Sequence, residues 1–196
     1  MRRSVVPLLL LSLALAGCAQ SPVAEIDGAK QALDRARDAQ APDYAPDAWT
    51  AANDAQTRLD AELDAQQHRN SLFRSYTKAK ELASEVKSSA ERATELAASG
   101  KEKAKTEAAT LMSQARDEYS LADKALTSAP RGKGTEADLA SLKGNVTSID
   151  GTLAEMQRAF DAGDYLTAKT KAQAAIDASR DIVKEIEAAK AQRRAA

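Results

Sequence analysis

The 196-residue sequence has little of what most enzymes and small secreted domains are built from. It contains one cysteine, one histidine, five prolines and eight glycines, and aromatic residues make up 4% of it. A disulfide framework needs paired cysteines and a zinc site needs a cysteine/histidine cluster, so the sequence excludes both. β-Sandwiches and barrels need many β-branched and aromatic residues, and these are scarce.

Alanine is abundant, with 44 copies in the sequence. Alanine is the best helix former, and Glu, Lys, Gln, Arg and Leu follow it. The 28 basic residues are offset by 29 acidic ones, whereas nucleic-acid binding needs a dense basic surface. We therefore expect an all-α protein that does not bind nucleic acid.

The first 17 residues have the features of a secretory signal. Arg2 and Arg3 precede an apolar run over residues 5–16, which is shorter than the roughly 20 residues of a transmembrane helix. The run ends in Leu15-Ala16-Gly17-Cys18, which resembles the lipobox of bacterial lipoproteins. The resemblance implies cleavage before Cys18, a lipid on its sulfur and amine, and a lipidated terminus over 18–21. The alternative is an ordinary cleaved signal followed by a chance cysteine.

Residue 19 predicts which membrane carries this anchor. In enterobacterial lipoproteins an aspartate after the lipidated cysteine retains the protein at the inner membrane, and here the residue is Ala19. The resemblance thus implies the periplasmic face of the outer membrane. We expect no cofactor other than the covalent lipid.

Apolar residues at three- and four-residue steps predict helices at about 22–40, 46–98, 101–129, 135–161 and 164–193. The clearest heptad pattern runs through Leu139, Leu142, Val146, Ile149, Leu153, Met156 and Phe160. The stripe fades over 64–71, and Phe73 and Tyr76 are expected to restore it. We expect one break or kink, either near 66–71 or at 98–101. A glycine inside a helix costs only about 1 kcal/mol, so Gly100 could mark a break or only a weak point in a continuous helix.

These lengths predict a helical hairpin over 22–66, a connecting helix over 67–100 and a three-helix bundle over 101–193. Alanine at the seam positions would let helices approach closely along thin interfaces. We therefore expect an elongated antiparallel bundle, a coiled-coil-like rod.

Residues 24 to about 66 resemble the bacterial family called domain of unknown function 4398. In that family an alanine-rich helix is followed by Tyr-Ala-Pro and by a second helix spaced as Ala-x-x-x-Leu. The matching residues here are Ala29, Ala32, Leu33, Ala36, Tyr44, Ala45, Pro46, Ala52, Ala55 and Leu59. Its members are largely envelope lipoproteins. The resemblance implies localisation to the cell envelope and a helical fold, but it does not imply a molecular activity.

Few residues are candidates for a functional site. Tyr44 and Trp49 flank a proline turn and could contact a partner, or could simply hold the first hairpin together. His68 has no second ligand nearby, so a metal site is not expected. No Ser/His/Asp set or Gly-rich phosphate loop can be assembled, so we do not expect an enzyme.

The sequence thus predicts a lipid-anchored envelope protein with a structural or interaction role, bound to a protein partner or to itself. The chain ends in Arg193-Arg194-Ala195-Ala196, and without a terminal lysine no covalent link to peptidoglycan is expected. The alternative is a module that binds a lipid or a helix in an alanine-lined groove.

Overall fold

A computed structural model describes residues 21–129 and 136–195 of the chain. The described residues form six α-helices, one 3-10 turn and no strand, which confirms the all-α prediction. The helices are α1 (Val23–Asp38), α2 (Ala41–Tyr44), α3 (Pro46–Gln67), α4 (Thr77–Thr127), α5 (Glu136–Asp161) and α6 (Tyr165–Ala195). The lipobox residues and the predicted loop at 130–134 lie outside the described residues.

The described chain divides into two compact units. Unit 1 contains residues 21–42 and 46–94, and unit 2 contains residues 43–45 and 95–195. Helix α4 therefore contributes residues to both units.

In unit 1, α1, α3 and the first part of α4 pack against each other. Arg58 Nη2 on α3 lies 2.7 Å from Glu85 Oε1 on α4, and Lys80 Nζ on α4 lies 3.3 Å from Glu25 Oε1 on α1. The core between these helices is made mostly of alanine: Ala29, Ala32, Leu33, Ala36, Ala52, Ala55, Leu59, Ala79, Leu82, Ala83, Val86, Ala90 and Ala93.

In unit 2, the second part of α4 packs with α5 and α6 around larger side chains. Met112, Ile149, Met156, Ile176 and Ile186 are buried in one cluster. The α5 heptad faces this cluster, since its remaining members are buried or half-buried against it. Buried residues of α6 also face it and end at Ile186, since Ala189 is exposed.

Alanine fills the helix seams, as its spacing predicts. Of the 31 buried apolar residues in the described chain, 20 are alanine. A methyl side chain gives little apolar area to bury but allows short interhelical distances. Within each unit, the helices are therefore joined mainly by many small contacts between alanine side chains.

The break expected near 66–71 is confirmed, so the extent 46–98 predicted for one helix is wrong and the segment forms two helices. Helix α3 ends at Gln67 and α4 begins at Thr77, with a 3-10 turn at Ser71–Phe73 between them. Within this segment the Asn70 side chain accepts a hydrogen bond from the Leu72 amide at 3.1 Å. Side chains such as asparagine satisfy backbone groups locally and so favour turns over continuing a helix.

The predicted helix boundary at 98–101 is also wrong, since α4 runs through Gly100 without interruption. A Cβ at residue 100 would overlap the carbonyl oxygen of Tyr44. Glycine is therefore present here to admit a backbone group against the helix, and it does not end the helix.

The end of a helix near residue 161 and the start of the next near residue 164 are confirmed, and the turn between them is formed at Gly163. Gly163 has φ +77°, in the left-handed region that glycine favours. The Asp164 amide donates to the Ala159 carbonyl at 2.9 Å, which closes the end of α5. This turn sets the antiparallel order of α5 and α6.

Candidate functional site

Cys18 and the lipobox residues Leu15, Ala16 and Gly17 lie outside the described residues, so their predicted roles stay predictions. Within the described residues, none of the helices combines the length and apolar character needed to cross a bilayer.

Tyr44 is half-buried and is held within unit 2. Its hydroxyl donates to the Gly163 carbonyl at 3.4 Å, and Lys101 Nζ lies 5.8 Å from the ring centre. Burial raises the pKa of Tyr44 above its ordinary value, and the carboxylate of Asp164 acts in the same direction. The hydroxyl is therefore a neutral donor that ties α2 to the turn between α5 and α6.

Trp49 is half-buried and is held within unit 1. Arg37 Cζ on α1 lies 5.7 Å from the centre of the Trp49 ring on α3. A guanidinium at that distance from an aromatic ring makes a favourable cation–π contact. Trp49 thus helps to hold the α1–α3 hairpin, which was the second reading of this residue from the sequence.

The two aromatic residues are therefore engaged in different units. Tyr44 contacts α4 and the α5–α6 turn, and Trp49 contacts α1. Neither ring is free of intramolecular contacts, so a role in partner binding stays a prediction for both.

The loop over residues 68–76, which we call the tip loop, contains the break that the sequence predicts near 66–71, but its exposed apolar residues were not predicted. Leu72 is 83% exposed and Phe73 is 74% exposed, the highest values among the large apolar residues of the described chain. The prediction that Phe73 belongs to the buried stripe is therefore wrong, whereas Ala79, Ala83 and Val86 on α4 are buried.

Hydrogen bonds fix the tip loop to the helices on both sides. Arg74 donates from Nη2 to the Gln67 carbonyl at 3.0 Å and from Nε to the Arg69 carbonyl at 3.1 Å. The buried Gln66 side chain accepts from the Ser75 amide at 3.0 Å. These hydrogen bonds fix the backbone of the tip loop in a conformation in which the Leu72 and Phe73 side chains are exposed.

His68 lies at the start of the tip loop and is exposed. Its Nδ1 is 2.9 Å from the Asp64 carbonyl oxygen of the preceding helical turn. In the described chain no group of three or more His, Cys, Asp or Glu residues is arranged to hold a metal ion.

Ion pairs between helices lower the pKa values of two carboxyl groups in unit 2. Lys169 on α6 hydrogen-bonds to Glu107 on α4, and this bond lowers the pKa of the Glu107 carboxyl. Lys171 on α6 similarly lowers the pKa of Glu155 on α5. Lowered carboxyl pKa values of this kind belong to structural ion pairing, since a general acid or base at neutral pH needs a pKa nearer 7.

An open groove of about 410 Å³ lies between α5 and α6 in unit 2. Ten residues line it, and three of them are alanine: Asn145, Ser148, Ile149, Thr152, Ala174, Ala175, Ala178, Asp181, Ile182 and Glu185. A function in which an alanine-lined groove binds a lipid or a helix stays a prediction.

Comparisons of the chain with protein-family models, with curated proteins and with solved structures find no match. The resemblances to the lipobox and to domain of unknown function 4398 therefore stay predictions.

Proposed function

We propose that this chain is a lipid-anchored protein of the outer membrane, facing the periplasm, with a structural or protein-interaction role and no catalysis of its own. The observation that carries the proposal is Leu15-Ala16-Gly17-Cys18 at the end of an apolar run that follows Arg2 and Arg3. Several acyl chains on Cys18 would make a stable anchor, because each buried CH2 contributes about 0.8 kcal/mol.

Two features of the described residues support an interaction role. The helices pack against each other through buried alanines and are linked by surface ion pairs, such as Arg180 Nη2 to Glu118 Oε1 at 2.8 Å. The tip loop presents an apolar pair outward from a hydrogen-bonded frame. Together these features suit a helical protein that presents an exposed surface, such as the tip loop, for contact with another molecule.

Replacing Cys18 tests the anchor. We expect the natural chain to partition with the outer membrane and to incorporate labelled palmitate, because the thioether holds it in the bilayer. Cys18→Ala removes the acceptor sulfur, so both the label and the outer-membrane partition should be lost. Fractionation with detergent phase separation measures this outcome, and unchanged partition of Cys18→Ala would refute the anchor.

Sorting is tested by a matched pair of variants. Ala19→Asp places an aspartate next to the lipidated cysteine and should shift the chain to the inner membrane. Ser21→Asp adds the same charge two residues later and should leave the chain in the outer membrane.

The second candidate is a module that binds a lipid or a helix in the groove between α5 and α6. The observation in its favour is the lining of the groove, which includes Ala174, Ala175, Ala178 and two isoleucines. A lipid or a helical peptide that is recovered in stoichiometric amount with the purified Cys18→Ala variant would favour this candidate over the first.

A further inference from the structure

The described chain begins at the same end of unit 1 as the tip loop. The Lys80–Glu25 contact at 3.3 Å places the first turn of α4 beside the first turn of α1. The hydrogen bond from the Ser75 amide to Gln66 joins the start of α4 to the end of α3. The Arg37–Trp49 contact lies at the other end of the α1–α3 hairpin.

This placement brings the tip loop within reach of Cys18. Position 21 comes three residues after Cys18, and an extended chain spans at most about 3.6 Å per residue, or roughly 11 Å in all. If Cys18 carries a lipid, the bilayer surface lies close to the end of unit 1 that holds the tip loop. The inference that follows rests on the anchor of the proposed function.

The charge of this segment suits an anionic surface. Between Asp64 and Glu81 the sequence has four Lys or Arg residues and no acidic residue, in a chain whose net charge is −1. Two of the four cations form ion pairs, Lys78 with Glu81 and Lys80 with Glu25. The remaining cations, Arg69 and Arg74, flank the exposed apolar pair.

The shape of the tip loop suits a bilayer better than a helical partner. Leu72 and Phe73 are adjacent and lie in a short turn, whereas a groove for a helix needs an extended apolar stripe. The hydrogen bonds of Asn70 and Arg74 fix the turn before any contact forms. Little conformational entropy is therefore lost when the loop binds.

We propose that Leu72 and Phe73 insert into the interface of the bilayer that carries the Cys18 lipid, with Arg69 and Arg74 beside the lipid phosphates. The loop is then a second attachment point, next to the acyl chains. Apolar side chains at such an interface reach roughly 5–10 Å into the boundary between headgroups and acyl chains. Two attachment points would hold this end of unit 1 against the membrane surface.

The test uses residues 18–196 tethered to vesicles of phosphatidylethanolamine and phosphatidylglycerol. The chain has a single cysteine, so Cys18 can be coupled to a maleimide lipid. In the double variant Trp49→Phe/Phe73→Trp, tryptophan at position 73 is the only one present. We expect its emission to shift to the blue on tethering and to be quenched by lipids brominated at shallow positions.

The natural chain is the control, because it reports from Trp49, at the other end of the α1–α3 hairpin, and should not be quenched. Adding Arg69→Glu to the position 73 reporter should weaken its quenching, because a carboxylate is repelled by lipid phosphate.

Quenching at position 73 no stronger than at Trp49 would overturn the proposal. A loop that binds a protein rather than lipid gives this same negative result in protein-free vesicles. Because the tether is chemical, the outcome does not depend on whether cells lipidate Cys18. Failure of the anchor in the Cys18→Ala fractionation is therefore distinct from failure of the tip loop to insert. Circular dichroism establishes that each variant is folded.

Discussion

At the scale of single residues, Gly100 shows why a glycine inside a helix can be read in two ways. Its cost in helix propensity predicts a break, yet α4 is continuous there. The structure adds the reason, which is the Tyr44 carbonyl lying where a Cβ would be. Only the tertiary contact decides between the two readings, and one sequence does not contain it.

Replacing Gly100 and Gly144 by alanine should have opposite effects on stability. Gly144 is exposed on α5 with no atom within 4 Å of a built Cβ, so Gly144→Ala should raise the free energy of unfolding by about 0.5–1 kcal/mol. Gly100→Ala forces the Tyr44 backbone away and should lower it by about 1–3 kcal/mol. Urea denaturation followed by circular dichroism measures both, and an equal stabilisation by the two variants would contradict this account.

At the scale of helices, the sequence predicts which residues face inward better than where a helix ends. The heptad on α5 and the alanine stripes are confirmed because the 3.6-residue period is carried by the residues themselves. The break between α3 and α4 depends on contacts between residues nine positions apart, such as Gln66 with Ser75. The tip loop could not be placed by periodicity, because its exposure results from those hydrogen bonds.

Gln66 should therefore stabilise the α3–α4 connection more than its neighbour does. Its side chain is buried and accepts the Ser75 amide at 3.0 Å. Gln66→Ala leaves that donor without its protein partner and should lower the free energy of unfolding by about 1–2 kcal/mol. Gln67→Ala, an exposed neighbour on α3, should change it by less than about 0.5 kcal/mol. Faster amide exchange over 72–78 in Gln66→Ala alone would localise the effect, and equal denaturation curves for the two variants would rule it out.

At the scale of the whole molecule, acidic and basic residues are balanced in number, and few of them titrate near neutral pH. The chain has 29 acidic and 28 basic residues and one histidine, so few side chains change charge between pH 5 and 8. Stability should therefore vary little over that range and fall below it, as the carboxylates that pair with lysines become protonated.

The Lys169–Glu107 pair makes this acid dependence testable. The hydrogen bond from Lys169 holds the pKa of the Glu107 carboxyl below its ordinary value of 4.5. The pair therefore stabilises the folded chain fully above pH 4.5, and this contribution is lost as the pH falls through the lowered pKa. Lys169→Gln removes the cause of the lowered pKa, so its melting temperature should fall less than that of the natural chain between pH 6 and pH 3. Lys184→Gln removes one charge from a largely exposed position on the same helix, and it should retain the acid dependence of the natural chain. A stabilising contribution from the Lys169–Glu107 pair must be lost when Glu107 is protonated. If the melting temperature of Lys169→Gln instead falls with pH as much as that of the natural chain and of Lys184→Gln, the pair does not contribute to stability.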